Sequence, residues 1–174
     1  MSDTIKFLKV RDVKSPSRSN AYDAGIDFYI PELTEEFVKL LKEKNPTIES
    51  RYITTRGIWF IGHHRILIPS GIHCQMSEPG KALIAANKSG VASRDGLIFG
   101  AQVVDYEYQG EIHLSLINTS NTPVTLTSGM KILQFIEMPV FHSNISIEEN
   151  KKIEEFYEKT TNRGPKGFGS TDNQ

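Results

Sequence analysis

With 174 residues, 38% of them hydrophobic, the chain is long enough to bury one core and little more than an appendage besides. Its 20 basic and 21 acidic residues leave a formal net charge of -1, so no global field draws it onto nucleic acid or an anionic membrane, and a phosphate group must be held by a local cluster of cations or a metal. The lone Cys74 excludes an internal disulfide, the N-terminus lacks an apolar signal core, and no run reaches membrane-spanning length; a soluble chain in a reducing, intracellular compartment is expected.

Ile5 to Val10 reads as a first strand, and residues 11–20 as a polar loop. Gly25 to Ile30 is a second apolar run, stopped by Pro31. Residues 33–44 read as a helix: Phe37, Leu40 and Leu41 recur at helical spacing, Thr34 is placed to N-cap, and Glu35 and Glu36 open it while Lys42 and Lys44 close it. Leu33 and Val38 stand where a hydrophobic staple needs them, and Pro46 follows the last turn.

From Ile58 to Val140 the pattern is β. Short apolar stretches recur at 58–61, 65–68, 71–75, 81–85, 97–104, 111–117, 124–126 and 131–140, with turn residues such as Pro69-Ser70-Gly71 and Ser128-Gly129 between them. Ile112, Leu114 and Leu116 alternate as one buried face requires. Many short strands at this spacing indicate a sandwich or barrel. Cys74, between Ile72-His73 and Gln75, reads as a strand residue rather than a nucleophile. Further on, Ser146-x-x-Glu149 followed by Ile153, Phe156 and Tyr157 has the local form of a capped helix.

Five constellations carry chemistry. In Asp23-Ala24-Gly25-Ile26-Asp27 two carboxylates flank small residues; Asp27 suits a Mg²⁺ shell, directly or through water, and a solvated turn is the alternative. Asn87-Lys88-Ser89-Gly90 offers a cation, a hydroxyl and a glycine N–H for phosphate, or a surface turn leading into a polar loop. Residues 103–110 read as a β hairpin with Asp105 and Tyr108 at its tip, a general base and a ring able to pack on a sugar, or simply a turn Asp beside a half-buried Tyr. Gln134, within Gly129-Met130-Lys131-Ile132-Leu133-Gln134, is an amide in an apolar strand and needs partners. Last comes Arg163-Gly164-Pro165-Lys166-Gly167-Phe168-Gly169-Ser170-Thr171, with the composition of a lid that closes over a nucleotide or of a frayed terminus.

In this order and at these spacings, the five resemble the motifs of the trimeric dUTP pyrophosphatases (dUTPases), over about Ile5 to Thr171. The resemblance implies an all-β, jelly-roll-like (β-clip) fold, with residues 1–160 as one domain carrying a helical insertion at 33–57, and 161–174 as a flexible C-terminal arm. It implies a homotrimer with shared active sites and Mg²⁺-dependent hydrolysis of dUTP to dUMP and pyrophosphate. That activity keeps uracil out of DNA and supplies dUMP for thymidylate synthesis. A cytoplasmic setting follows, in a bacterial cell or a phage-infected host, with no nucleic-acid or membrane partner.

By position, the resemblance gives Asp105 the activation of water and Tyr108 the face that leaves no room for a ribose 2′-OH. Backbone groups near Gln102 and His113 read uracil. Lys88, Ser89, Gly90 and Gln134 meet phosphates, and Asp27 supports the metal through water. From the arm, Arg163 meets the γ-phosphate, Phe168 stacks on uracil, and Lys166, Gly169, Ser170 and Thr171 hold the phosphates. The departures are Lys88 where arginine is usual, Glu107 where aspartate is usual, Lys166 and Asp172 where glycines are usual, and the insertion, which decorates the trimer rim or binds a protein partner. The family also makes 146–158 an extended lead into the arm, and this is preferred to the local helix reading. Two rivals remain. The related dCTP deaminases carry a glutamate where Ser115 stands in Ile112-His113-Leu114-Ser115-Leu116, and a nucleotide-sensing regulator of the same fold would bind a partner protein.

Overall fold

The computed structural model describes residues 4–157, Lys159 and Thr161. They divide into two units, the first ending at Phe141 and the second starting at His142.

The first unit is built of twelve short strands, all paired antiparallel, and two helices. A four-stranded sheet runs in the order β2 (Gly25–Tyr29), β12 (Lys131–Pro139), β7 (Lys81–Asn87), β9 (Val103–Asp105). A three-stranded sheet has β5 (Arg65–Pro69), β10 (His113–Asn118) and β8 (Leu97–Phe99), and another has β11 (Val124–Leu126), β4 (Gly57–Phe60) and β3 (Ile53–Thr54). β1 (Lys6–Lys9) pairs with β6 (Ile72–Gln75). Small sheets of this kind each bury one face, and their inner faces meet in one core that includes Phe28, Phe60, Ile68, Leu83, Leu114 and Leu126. The alternation read at Ile112, Leu114 and Leu116 holds: all three are buried, and His113 and Ser115 between them are half-buried, as is Ile117 beyond.

The insertion folds as its local signals require. Helix α1 spans Glu35–Lys44, and Thr34 Oγ1 accepts a hydrogen bond from Phe37 N. Leu33 and Val38 are both buried, as a staple demands. Phe37, Val38 and Leu41 then face the core, joined by Ile48 and Ile53, so residues 33–57 are a wall of the domain rather than an ornament on it. Beyond the helix, buried Asn45 ties the wall to β5. Its Nδ2 donates to Leu41 O at 2.8 Å and Leu67 O at 2.9 Å, while Leu67 N donates to its Oδ1 at 2.8 Å.

Three sequence expectations need correction. The apolar stretch 97–104 is two strands in different sheets, β8 and β9. At Gly100 the chain leaves β10, donating to Ser115 O, and by Gln102 its carbonyl already accepts from Ala85 N beside β7. Consequently β9 does not form a hairpin with β10: both edges of β10 are taken by β5 and β8. Third, the polar loop expected after Asn87 is a helix, α2 (Ser89–Asp95), which stops at Gly96 with φ 66°. That left-handed conformation suits glycine and makes Gly96 a helix terminator. In the second unit, residues 142–152 form neither helix nor strand, so the apparent cap at Ser146 starts nothing; a single helical turn, α3 (Ile153–Phe156), follows.

Candidate active site

Strand β12 organises one half of the site. Its register sets Gln134 opposite Asp27 on β2 and opposite Ala86 on β7, one residue short of the β7 end. Three motifs distant in sequence thus meet at one place. Gln134 Nε2 donates to Asn87 O at 2.9 Å, which aims the amide across the strand end. Gly25 makes this possible: a Cβ there would lie 1.9 Å from Gln134 Oε1. Two neighbouring hollows, of about 200 and 280 Å³, share Lys88 and Gln134; the first adds Ser89, Gly90 and Arg94, the second Ser19, Asp23 and Asp27. Ser89 and Gly90 are exposed at its rim.

Asp27 is 2% exposed and carries the charge of this region. Lys88 Nζ pairs with its Oδ1, Lys131 Nζ lies 2.9 Å from its Oδ2, and Ser19 donates to Oδ2. Burial alone pushes the Asp27 carboxyl up, but the two ammonium groups more than reverse this and hold it below the usual carboxylate range. Asp27 is therefore neither the solvated turn residue nor a bare metal ligand, since both of its oxygens are engaged. Lys88, standing where arginine is usual, keeps the ion pair but not the bidentate fork.

The other half of the site is a tight turn. Tyr108 N donates to Asp105 O, so Asp105 and Tyr108 close one β-turn rather than flank a hairpin tip. Both side chains are exposed. Tyr108 lies across Gly110, where a Cβ would come 2.3 Å from its Oη and 2.4 Å from Cζ. A cavity of about 650 Å³ opens between this turn, Tyr106 to Gln109, and the end of β6 with Met76. Nearby, Gln102 spends its carbonyl on Ala85, and His113 Nδ1–H donates to Glu111 O at 2.8 Å. Cys74, in the cavity wall, is pushed up to about 11 by burial and by Glu137, consistent with a structural role rather than a nucleophilic one.

The two halves are not adjacent within one chain. Asp105 pairs with Ala82, near the start of β7, whereas Lys88 follows its end. Six residues of extended strand put them about 20 Å apart. The arm residues Arg163, Lys166, Phe168, Gly169, Ser170 and Thr171 lie outside the described residues. Sequence reasoning passed over Lys131, Ser19 and Arg94. Lys131 sat inside a motif read from the sequence and could have been found as a second cation beside the Asp27 carboxylate; Ser19 and Arg94 gave no signal.

The described residues contain no cluster of three His, Cys, Asp or Glu side chains able to hold a metal. With both Asp27 oxygens engaged by ammonium and hydroxyl groups, the residues here offer a divalent cation such as Mg²⁺ no more than an outer, water-mediated contact. No helix among these residues is long and apolar enough to cross a membrane.

Comparison with known proteins gives the same direction from several sides. The dUTPase family model matches residues 52–172. A deoxyuridine 5'-triphosphate nucleotidohydrolase of Pseudomonas entomophila is 38% identical over 106 residues, which is 60% of this chain and 66% of that protein, just under two thirds of its length. The dUTPase of Staphylococcus bacteriophage 80alpha, solved with dUpNHpp, superposes with a TM-score of 0.71 at 17% identity, covering 98% of this chain and 99% of that one. A dUTPase from phage phi11 of S. aureus, described as showing the coordination of a structural Mg(II) ion, has a TM-score of 0.65 at 14% identity, covering 86% and 99%. At such identities the structures speak for the fold, which is therefore the all-β dUTPase fold with an inserted helix. The family match covers well over half of the sequence, and the chain belongs to the dUTPase family.

Proposed function

We propose that this protein hydrolyses dUTP to dUMP and pyrophosphate at sites shared between the subunits of a homotrimer. The observation that carries the reading is the division of the site. The phosphate-side groups Lys88, Ser89 and Gln134 collect around Asp27 at one end of β7, and Asp105 with Tyr108 stands about 20 Å away at the other. Within one chain the two groups stand apart along β7, whereas a closed ring of copies lets one subunit's turn face its neighbour's cluster.

At such a joint, Asp105 accepts a proton from a water molecule. The water oxygen bonds to the α-phosphorus in line with the departing oxygen, the bond from that phosphorus to the bridging oxygen breaks, and pyrophosphate leaves with the electron pair. Lys88, Ser89, Gly90 and Gln134 hold the phosphates, and Lys131 keeps Lys88 company on Asp27 so that the pocket is net cationic. Tyr108 walls off the 2′ position of the sugar, and backbone groups near Gln102 and His113 face the base. Asp27 would reach a bound Mg²⁺ through water, and the ion would supply neutralisation of the triphosphate charge. Arg163, Lys166, Phe168, Gly169, Ser170 and Thr171 of the arm cover the nucleotide and exclude all but the attacking water. Removing dUTP in this way keeps uracil out of DNA and yields dUMP.

Ser115 donates nothing a deaminase would need, being half-buried on β10 beneath Gly100. The apolar stripe of α1 is spent on its own core, which leaves only a charged outer face for a protein partner. The test is product analysis with Mg²⁺ and dUTP, dCTP, dTTP or UTP, scoring pyrophosphate and ammonia. Pyrophosphate from dUTP alone is the expected result. Ammonia from dCTP would overturn the reading, and binding of dUTP without turnover would favour a nucleotide sensor.

A further inference from the structure

We infer that Glu111 is a positioning residue for the nucleoside: anchored by Arg11 and Gly71, it locks the ring of Tyr108 and so sets discrimination between deoxyribose and ribose. The inference rests on the dUTP reading above. Glu111 comes directly after Gly110, at the end of the Asp105–Tyr108 turn. Its carboxylate accepts three hydrogen bonds. Arg11 Nε lies 3.0 Å from Oε1 and Arg11 Nη2 2.7 Å from Oε2, a two-pronged pairing across 100 residues, and Gly71 N donates to Oε1 at 2.6 Å. A forked guanidinium–carboxylate pair fixes direction as well as distance.

The backbone of the same residue does the positioning. Glu111 O accepts the Tyr108 hydroxyl at 3.0 Å and His113 Nδ1–H at 2.8 Å. The side chain therefore fixes where this carbonyl points, and the carbonyl fixes where the Tyr108 and His113 rings lie. The far end of the strut is rigid: the Arg11 guanidinium sits 5.4 Å from the ring centroid of Phe37, which is buried on α1. The insertion is thereby connected to the substrate turn through two side chains. A ring pinned at its hydroxyl cannot swing aside for a 2′-OH; once released, it can.

The experiment compares kcat/KM for dUTP and UTP in the wild type, Glu111→Ala and Glu111→Gln, with thermal unfolding measured alongside. Glu111→Ala is expected to lower dUTP-over-UTP selectivity about tenfold, the range that one mispositioned contact gives, with a smaller fall in kcat/KM for dUTP. Glu111→Gln keeps an acceptor for Gly71 and is expected to restore selectivity to within about threefold of wild type. If Glu111→Ala fails to fold, Arg11→Met removes the fork, keeps the aliphatic packing, and gives the same readout. Selectivity equal to wild type in a folded variant with a lowered Tm would make Glu111 merely structural and overturn the inference alone. A wild-type chain that does not turn over dUTP overturns the functional reading, and this inference with it.

Discussion

Asp27→Asn tests the electrostatic centre of the proposed phosphate cluster. The substitution keeps the shape and removes the charge, leaving Lys88 and Lys131 facing each other without a counterion. Removing one partner of a fully buried pair costs about 3–5 kcal/mol, and breaking an exposed one costs about 0–1 kcal/mol. The Asp27 side chain is 3% exposed, that of Lys88 24% and that of Lys131 42%. The Lys88 pair is thus intermediate and gives about 2 kcal/mol at neutral pH, and the solvent-screened Lys131 pair adds little. For a chain of this length that is a fall in Tm of about 4–8 °C. The pH dependence has a definite sign. The folded-state pKa of Asp27 is depressed, so its contribution is complete above the ordinary value of 3.8 and is lost as pH falls through the lower folded value. Urea unfolding of both proteins, at one protomer concentration, should show the gap at pH 7 and its closure in acid. Equal stability at pH 7, or a gap that persists unchanged in acid, would refute the ion-pair assignment.

Three further substitutions probe the geometry. Gly25→Ala should drive Gln134 off Asn87 O, since its Cβ would fall 1.9 Å from Oε1, and steady-state kinetics should show KM for dUTP rising about tenfold as one phosphate contact is lost. Gly110→Ala displaces the Tyr108 ring; kcat/KM for dUTP should drop about tenfold or more, with little change in unfolding free energy. Asn45→Ala removes the partner of the buried Leu41 carbonyl and of the part-buried Leu67 backbone groups; urea unfolding should show a loss of about 2–3 kcal/mol, with kcat per folded molecule unchanged.

What the sequence disclosed was local. The α1 helix was legible from Thr34 to Lys44 because its cap, staple and terminal charges are all within a few residues of one another. Strand positions were legible because turns such as Pro69-Ser70-Gly71 bound them. Pairing was not. The stretch 97–104 alternates equally well as one strand or two, and only the occupied edges of β10 force β9 onto β7. Helix α2 was missed because its one buried residue, Val91, leaves no periodic signal; Gly96 was the only clue to it. Within the site, the residue types of the motifs were readable, but their partners were not. Asp27 looked like a turn carboxylate although it lies within four consecutive buried positions of β2, itself a sign that it must be paired. The Arg11–Glu111 bond joins residues 100 apart, and no local pattern announces it.

Whether sites are shared between subunits, as proposed, can be read from one mixing experiment. Asp105→Asn and Lys88→Ala each disable one half of the site and should each abolish turnover in homogeneous assemblies. Unfolded together in equal amounts and refolded, they should regain roughly a quarter of wild-type dUTP hydrolysis, because in a ring of mixed copies that fraction of joints pairs an intact Asp105 with an intact Lys88 from the neighbour. A mixture as inactive as its two components, with mixed assemblies verified by mass, would mean that each site lies within a single chain.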